Sequence, residues 1–158
     1  MLAGLNKPSQ ILWDWYSWSQ LDKDLLYRIL ATRSAVFVVE QACPYLDPDQ
    51  HDQVAWHLTG QRGSELCAYL RLMPPDGRFK TPSIGRVLSI GRERGGGLGR
   101  ELMERGIQGC RDRFPGQPIS VSAQLYLQEF YRSLGFQRLG ESYDEDGIPH
   151  VDMLLNGE

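Results

Sequence analysis

Four glycines, Gly95, Gly96, Gly97 and Gly99, stand among Arg92, Arg94 and Arg100 at the end of an extended apolar segment. That combination suits the binding of a phosphate. Upstream, Ser83-Ile-Gly-Arg-Val-Leu-Ser-Ile90 is rich in β-branched residues and bounded by Pro82 and Gly91, as a buried strand would be. Downstream, Leu98, Leu102, Ile107, Cys110 and Phe114 recur near one helical face, so the glycines sit where a strand turns into a helix. The first N–H groups of a helix have no intrahelical partner and lie at the positive end of its dipole. Main chain alone can therefore hold a phosphate there, provided that no side chain obstructs it. A nucleoside-triphosphate loop needs Lys and then Ser or Thr after its last glycine, whereas Gly99 is followed by Arg100 and Glu101. A dinucleotide fingerprint also fits poorly, because Arg100 fills the third glycine slot after Gly95-x-Gly97 and the turn lies past mid-chain.

A second group lies downstream. Ile119-Ser-Val-Ser-Ala123 alternates like a strand, and Leu127-Gln-Glu-Phe-Tyr-Arg-Ser-Leu-Gly-Phe136 follows as a short helix stopped by Gly135. Its phenol, Tyr131, could donate a proton to a leaving group, although an aromatic pair on a short helix also serves as core. Arg-x-x-Gly-x-Gly at Arg94, Gly97 and Gly99, followed by Phe-Tyr-x-x-x-Gly-Phe at Phe130, Tyr131, Gly135 and Phe136, resembles the GNAT superfamily of N-acetyltransferases. Arg92, Gly95 and Gly97 match in a second register. The Arg94 register is preferred because it puts Leu98 and Leu102 one turn apart, facing the sheet. The resemblance implies that Arg94, Gly95, Gly96, Gly97, Leu98, Gly99 and Arg100 hold the pyrophosphate of acetyl-CoA. It further implies that backbone donors of Val87, Leu88 and Ser89 hold the thioester and pantetheine, that Gln124 and Phe130 line the cofactor, and that Tyr131 protonates the departing thiolate.

The acceptor side is expected between Arg33 and His57, where a helix end runs into an acidic loop. With Asp144-Glu-Asp-Gly-Ile-Pro-His150, this segment is similar to the ElaA-type branch of the superfamily, over nearly the whole chain. Glu40, Asp47, Asp49 and Asp52 lie within thirteen residues that contain no Lys or Arg, which would make a negative surface for a cationic amine. Glu40 follows the apolar run Val36-Phe-Val-Val39 and is expected to be drawn inward with Gln41, where burial would raise its pKa toward that of a useful base. His150 is the second candidate base. Gln41, Asp47, Asp52 and His57 are further substrate-binding candidates. Asp47 and Asp49 flank Pro48 as turn residues would, and His57 also reads as a structural histidine within a strand.

The elements that must position these groups are an expected strand at 11–18, a helix from Ser19 to about Phe37 opened by a Ser19/Asp22 capping box, and a hairpin of 56–59 and 66–73 over Gly60–Gly63. A long loop follows at Met73–Pro82, and the last strands are 136–139 and 151–155. The fold class expected is α/β, a mixed central sheet with helices on both faces, as one domain over residues 1–158. At 158 residues and 41% hydrophobic the chain can bury a sizeable core. No apolar run approaches the roughly 20 residues needed to span a bilayer. Met1–Pro8 lacks the basic and apolar regions of a leader, so a cytoplasmic protein is expected. Cys43, Cys67 and Cys110 are odd in number and far apart, indicating neither a disulfide scaffold nor a metal site. A net charge of -3 offers no broad footprint for nucleic acid. The function expected is acetyl transfer to an amine-bearing small molecule or protein, with neither nucleic acid nor membrane as partner and a homodimer compatible. A non-catalytic acyl-CoA sensor or interaction module is the alternative.

Overall fold

The computed structural model describes residues 10–158, and the Met1–Pro8 stretch read for a leader lies outside them. Among the described residues seven strands form: β1 (Leu12–Ser17), β2 (Trp56–Arg62), β3 (Glu65–Met73), β4 (Ser83–Ser89), β5 (Ile119–Gln124), β6 (Gln137–Glu145) and β7 (Ile148–Leu155). They make one sheet in the order β1-β2-β3-β4-β5-β7-β6. Every neighbouring pair is antiparallel except β4 and β5. Three α-helices cover it: α1 (Lys23–Arg33), α2 (Leu98–Arg113) and α3 (Gln128–Ser133).

The helices lie on both faces, as expected. Leu25 and Ile29 of α1 pack on Leu66, Tyr69 and Leu88. On the other face Leu98, Leu102, Met103, Ile107 and Cys110 of α2 join Leu70, Ile84, Val121, Tyr131 and Phe136 in the larger core. Each fully buried Leu or Ile there contributes about 1.5–3 kcal/mol. α2 approaches the sheet closely because it presents glycine at the contact. A Cβ at Gly106 would stand 2.5 Å from Leu70 Cδ2, and one at Gly109 2.3 Å from Trp15 Cζ2.

One irregularity shapes the functional end of the sheet. Between its pairings of Leu88 with Tyr69 and Gly85 with Arg71, β4 takes three steps where β3 takes two. The extra residue is accommodated at Arg86, which adopts φ +50°. Such a bulge bends its strand. β4 and β5 accordingly pair only at Ser83–Ser120 and Ile84–Val121, and diverge beyond. Because they run parallel, both C-terminal ends border the resulting gap, and each feeds a helix there: β4 leads into α2 and β5 into α3.

Several local expectations are corrected. The first turn after β1 is a 3-10 segment, Trp18–Gln20, where the Ser17 N–H donates to Gln20 Oε1 at 2.8 Å. Asp22 caps α1 itself, accepting the Leu25 N–H at 2.7 Å. The helix does not run as α to Phe37. It widens into a π-helical segment, Ser34–Glu40, where the consecutive bulky residues Val36, Phe37, Val38 and Val39 crowd the backbone. The β2–β3 turn falls after Arg62 rather than over Gly60–Gly63; Gly60 lies inside β2, where a Cβ would meet the Trp13 ring at 2.8 Å. The last hairpin is longer than expected, so Asp144 and His150 belong to its strands and only Asp146-Gly147 forms the tip.

Candidate active site

The strand-to-helix turn after β4 is open where a phosphate would approach. Gly95 and Gly97 adopt φ +87° and +86°, conformations that disfavour a side chain. A Cβ built at Gly95, Gly97 or Gly99 would find nothing within 4 Å. Gly97 is the N-cap of α2 and supplies no side-chain cap, and the first intrahelical bond runs from Glu101 N–H to Gly97 O. The N–H groups of Leu98, Gly99 and Arg100 are thereby left to an external acceptor. Leu98 and Leu102 are buried against the sheet, as the Arg94 register requires. The arginines themselves are engaged elsewhere. Arg94 donates through Nε to the Ser89 carbonyl and through Nη1 and Nη2 to Glu40, while Arg92 pairs with Glu65. Arg100 donates to Ser133 Oγ at 2.9 Å and thereby ties α2 to α3.

The gap between β4 and β5 supplies the second element. Ile90 gives its N–H to Cys67 on β3, so alternation points the Ser89 N–H the other way, into the gap. Val87 adjoins the bulge at Arg86, where this alternation is broken. Leu88, two residues before Ile90, shares the Ile90 direction, so its N–H faces β3 and its side chain is buried toward α1; the donor expected of Leu88 is turned away from the gap. Across the gap, α3 carries Tyr131, whose ring stands edge-on to Phe130 at 5.3 Å and to Phe136 at 5.8 Å. The residue is 5% exposed, so burial, with Tyr126 nearby, raises the phenol above its ordinary pKa. It is a protonated donor throughout the neutral range.

Glu40 and Gln41 bridge the same gap. Glu40 binds Arg94 on the β4 side, and Gln41 Oε1 accepts from Gln124 Nε2 at 3.1 Å on the β5 side. The expectation that burial raises the Glu40 pKa is overturned. Glu40 is exposed, and the hydrogen bond from Arg94 lowers its pKa.

The acidic loop is likewise corrected. Arg33, 0% exposed, donates to Asp47 at 2.8 Å and to Asp52 at 2.7 Å. Arg71 holds Asp49 through both nitrogens and reaches Asp52 at 3.0 Å; Arg86, turned by its bulge, donates to Asp47 at 2.9 Å. Three arginines thus neutralise three aspartates, and the loop's charge is directed inward. Burial alone would raise the Asp49 and Asp52 carboxyls, but Arg71 and Arg33 outweigh it and hold both below the usual range. Asp47 and Asp52 are saturated structural carboxylates. His57 completes the same network, fully buried between Tyr69 OH at 2.7 Å and the Asp52 carbonyl at 3.0 Å, and burial lowers its pKa so that it stays neutral. His57 is therefore the structural histidine of the two readings.

His150 lies beside the gap, as the register partner of Gln124. Its Nδ1 is 2.7 Å from the Ile148 carbonyl, which can only accept, so in the neutral ring Nε2 carries the lone pair, 3.6 Å from Glu145 Oε2. Tyr143 stacks on the ring at 6.2 Å. Ser122, Tyr143, Glu145 and Asp152 extend this polar face and are absent from the expected set. The alternation Ser120-x-Ser122-x-Gln124 is the signal that could have found it, since alternate residues of a strand share one face. Elsewhere, ligand atoms of Glu65, Cys67 and Glu93 lie within 4.8 Å of one another, but Arg92 and Arg62 already pair with the two carboxylates.

Comparison with known proteins agrees with this geometry. A family model described as an acetyltransferase (GNAT) domain matches residues 84–156, the span from β4 through β7. The chain is 41% identical over 145 residues to protein ElaA of Escherichia coli, covering 90% of this chain and 95% of that one. It is 40% identical over 147 residues to a UPF0039 protein of Synechocystis, with 92% and 96% coverage. A solved acyl-CoA N-acyltransferase from Pseudomonas aeruginosa superposes with a TM-score of 0.87 at 41% identity, over 92% of this chain and 99% of that one. With its gapped β4–β5 pair and uncapped glycine turn, the chain belongs to the ElaA-type branch of the GNAT superfamily.

Proposed function

We propose that this protein is an acetyl-CoA-dependent N-acetyltransferase that passes the acetyl group to an amine by direct attack in a ternary complex. The observation that carries the reading is a coincidence at one end of the sheet: the β4–β5 gap, the uncapped N-terminus of α2 and the buried phenol of Tyr131. Coenzyme A fits these groups chemically, since a diphosphate needs the orphan N–H groups of Leu98, Gly99 and Arg100, and the glycine cradle excludes any competing Cβ. When bound, acetyl-CoA supplies the activated acyl thioester. The relatives' acyl-CoA N-acyltransferase chemistry supports the acyl-transfer part of the reading.

The residues divide the remaining work. The Ser89 N–H, pointing into the gap, can polarise the carbonyl under attack. Tyr131 holds its proton at Oη for delivery to the departing thiolate sulfur. An amine attacks only when unprotonated, so a base must face it. His150 is favoured over Glu40, because its Nε2 lone pair is free and Glu145 stands ready to stabilise the imidazolium, whereas Arg94 stabilises Glu40 as a weakly basic carboxylate. Gln41 and Gln124 would flank the path between them.

The test combines calorimetric titration of coenzyme A with thiol release from acetyl-CoA across a panel of amines and neutral acceptors. Saturable binding with amine-dependent thiol release is expected. Binding without turnover on any amine would replace this reading with a non-catalytic acyl-CoA sensor.

A further inference from the structure

The polar face next to the gap already holds a cation. Arg78 enters it from the β3–β4 loop, donating to Tyr143 OH at 2.7 Å, to Ser122 Oγ at 3.2 Å and to Glu145 Oε1 at 3.1 Å. The same guanidinium lies 3.8 Å from Asp152 Oδ1 and 5.8 Å from the centroid of the Tyr143 ring. Tyr143 donates its own O–H to Asp152 Oδ1 at 2.6 Å. Two carboxylates, two hydroxyls and an aromatic face thus converge on one positive group, each of them a feature that recognises cations.

Two observations argue that the guanidinium is a resident of this cage and not its keystone. The loop turn is built without it: Asp76 Oδ1 accepts the N–H groups of Arg78 at 2.7 Å and Phe79 at 2.9 Å. The Arg78 side chain is also 46% exposed, so it can leave by rotation of its own stem, with no movement of backbone. Its departure would uncover the Glu145 and Asp152 carboxylates next to His150, a local negative charge that attracts another cation.

We propose that the Arg78 cage is the binding site for the second cationic group of an α,ω-diamine acceptor, with Arg78 its tethered, displaceable placeholder. The inference rests on the acetyltransferase reading, which sets the reacting nitrogen beside Gln124 and His150. Ser122 is two residues from Gln124 on the same face of β5, a separation of roughly 7 Å along a strand, comparable to the nitrogen spacing across about four or five methylenes. A diamine of that length places one nitrogen at the thioester and the other among Tyr143, Glu145 and Asp152. A shorter one cannot reach both.

The experiment measures kcat/KM with acetyl-CoA for diaminoalkanes from ethylenediamine to hexamethylenediamine and for the matching monoamines, in the wild type, Arg78→Ala, Arg78→Gln and Glu145→Gln. Wild type should prefer diamines, with an optimum at intermediate length. Both Arg78 variants should widen the diamine-to-monoamine ratio by roughly three- to tenfold, as expected for removing an exposed competing ion pair, and Glu145→Gln should narrow it by a similar factor. Thermal melts of the variants identify any loss of fold, and the Gln variant retains the bulk of the side chain should Ala disturb the loop. Equal turnover of monoamines and diamines, or a ratio that shrinks when Arg78 is removed, overturns the cage while leaving the acetyltransferase reading intact. Failure of every amine despite coenzyme A binding overturns both.

Discussion

The glycine turn makes a quantitative prediction through Gly97→Ala. Gly97 sits at φ +86°, and no atom lies within 4 Å of where its Cβ would be. The new methyl group therefore clashes with nothing in the protein and costs only its left-handed backbone, about 1–2 kcal/mol. For a domain of this size that corresponds to a fall in Tm of roughly 2–8 °C, leaving the protein folded at ordinary temperature. Coenzyme A meets a larger obstacle. On the diphosphate assignment the Cβ takes space the ligand needs, and losing one or two charge-assisted hydrogen bonds at about 1.5–3 kcal/mol each weakens binding by roughly ten- to ten-thousandfold. Gly140→Ala is the matched control: φ is +70°, nothing lies within 4 Å, and β6 is at the far edge of the sheet. Both variants should lose similar Tm by calorimetry, but only Gly97→Ala should lose coenzyme A affinity by titration. An affinity within twofold of wild type in a folded Gly97→Ala protein would refute the assignment of this turn to the diphosphate.

Four further perturbations probe the rest of the molecule. Tyr131→Phe keeps the ring in its aromatic cluster and removes the donor, so kcat should fall by about 10- to 1000-fold with coenzyme A affinity little changed; single-turnover rates check it. Asp52→Asn leaves Arg33 and Arg71 buried with one anion fewer and should cost about 3 kcal/mol or more, read from urea denaturation. The pH dependence has a definite sign: His57 is held neutral by burial, so its contribution is complete above about pH 6.5 and is lost as pH falls below that, with a slope of at most about 1.4 kcal/mol per pH unit that His57→Gln should remove. Asp49 and Asp52 add a second loss only at more acid pH, below about 3.9, as protonation detaches them from their arginines. Gly109→Ala should destabilise despite alanine's better helix propensity, because its Cβ would overlap the Trp15 ring; about 1–3 kcal/mol in denaturation curves is expected.

What was legible in the chain was local. The strand-to-helix turn, the apolar stripe of α2 and the Phe130–Phe136 segment are written in short-range periodicity and glycine placement, and they appear where expected. The gap was not legible, because its cause is a bulge at Arg86, a residue whose type gives no hint of a positive φ. Nor were the fates of the acids. Asp47 finds Arg33 and Arg86 at sequence separations of 14 and 39, and Glu40 finds Arg94 at 54. An inventory of charge along the loop sees only anions, since every neutralising cation arrives through tertiary structure.

That inward turn of charge changes where an amine should be sought. A loop with three aspartates looks like a cation trap, yet Arg33, Arg71 and Arg86 consume its field, and the π-helical segment that precedes it ends with Glu40 already paired. The loop instead acts as a buttress: by gripping Arg86 at the bulge, Asp47 holds β4 in the bent course that opens the gap to β5. Two carboxylates with capacity left for a ligand stand on the other side of that gap: Glu145 and Asp152 are each more than a third exposed and share Arg78, the arginine proposed as displaceable. Asp47→Asn should accordingly disturb the cofactor site, through the geometry of β4, more than the affinity for an amine. A rise in acceptor KM with coenzyme A binding untouched would contradict that division of labour and return the acidic loop to the substrate.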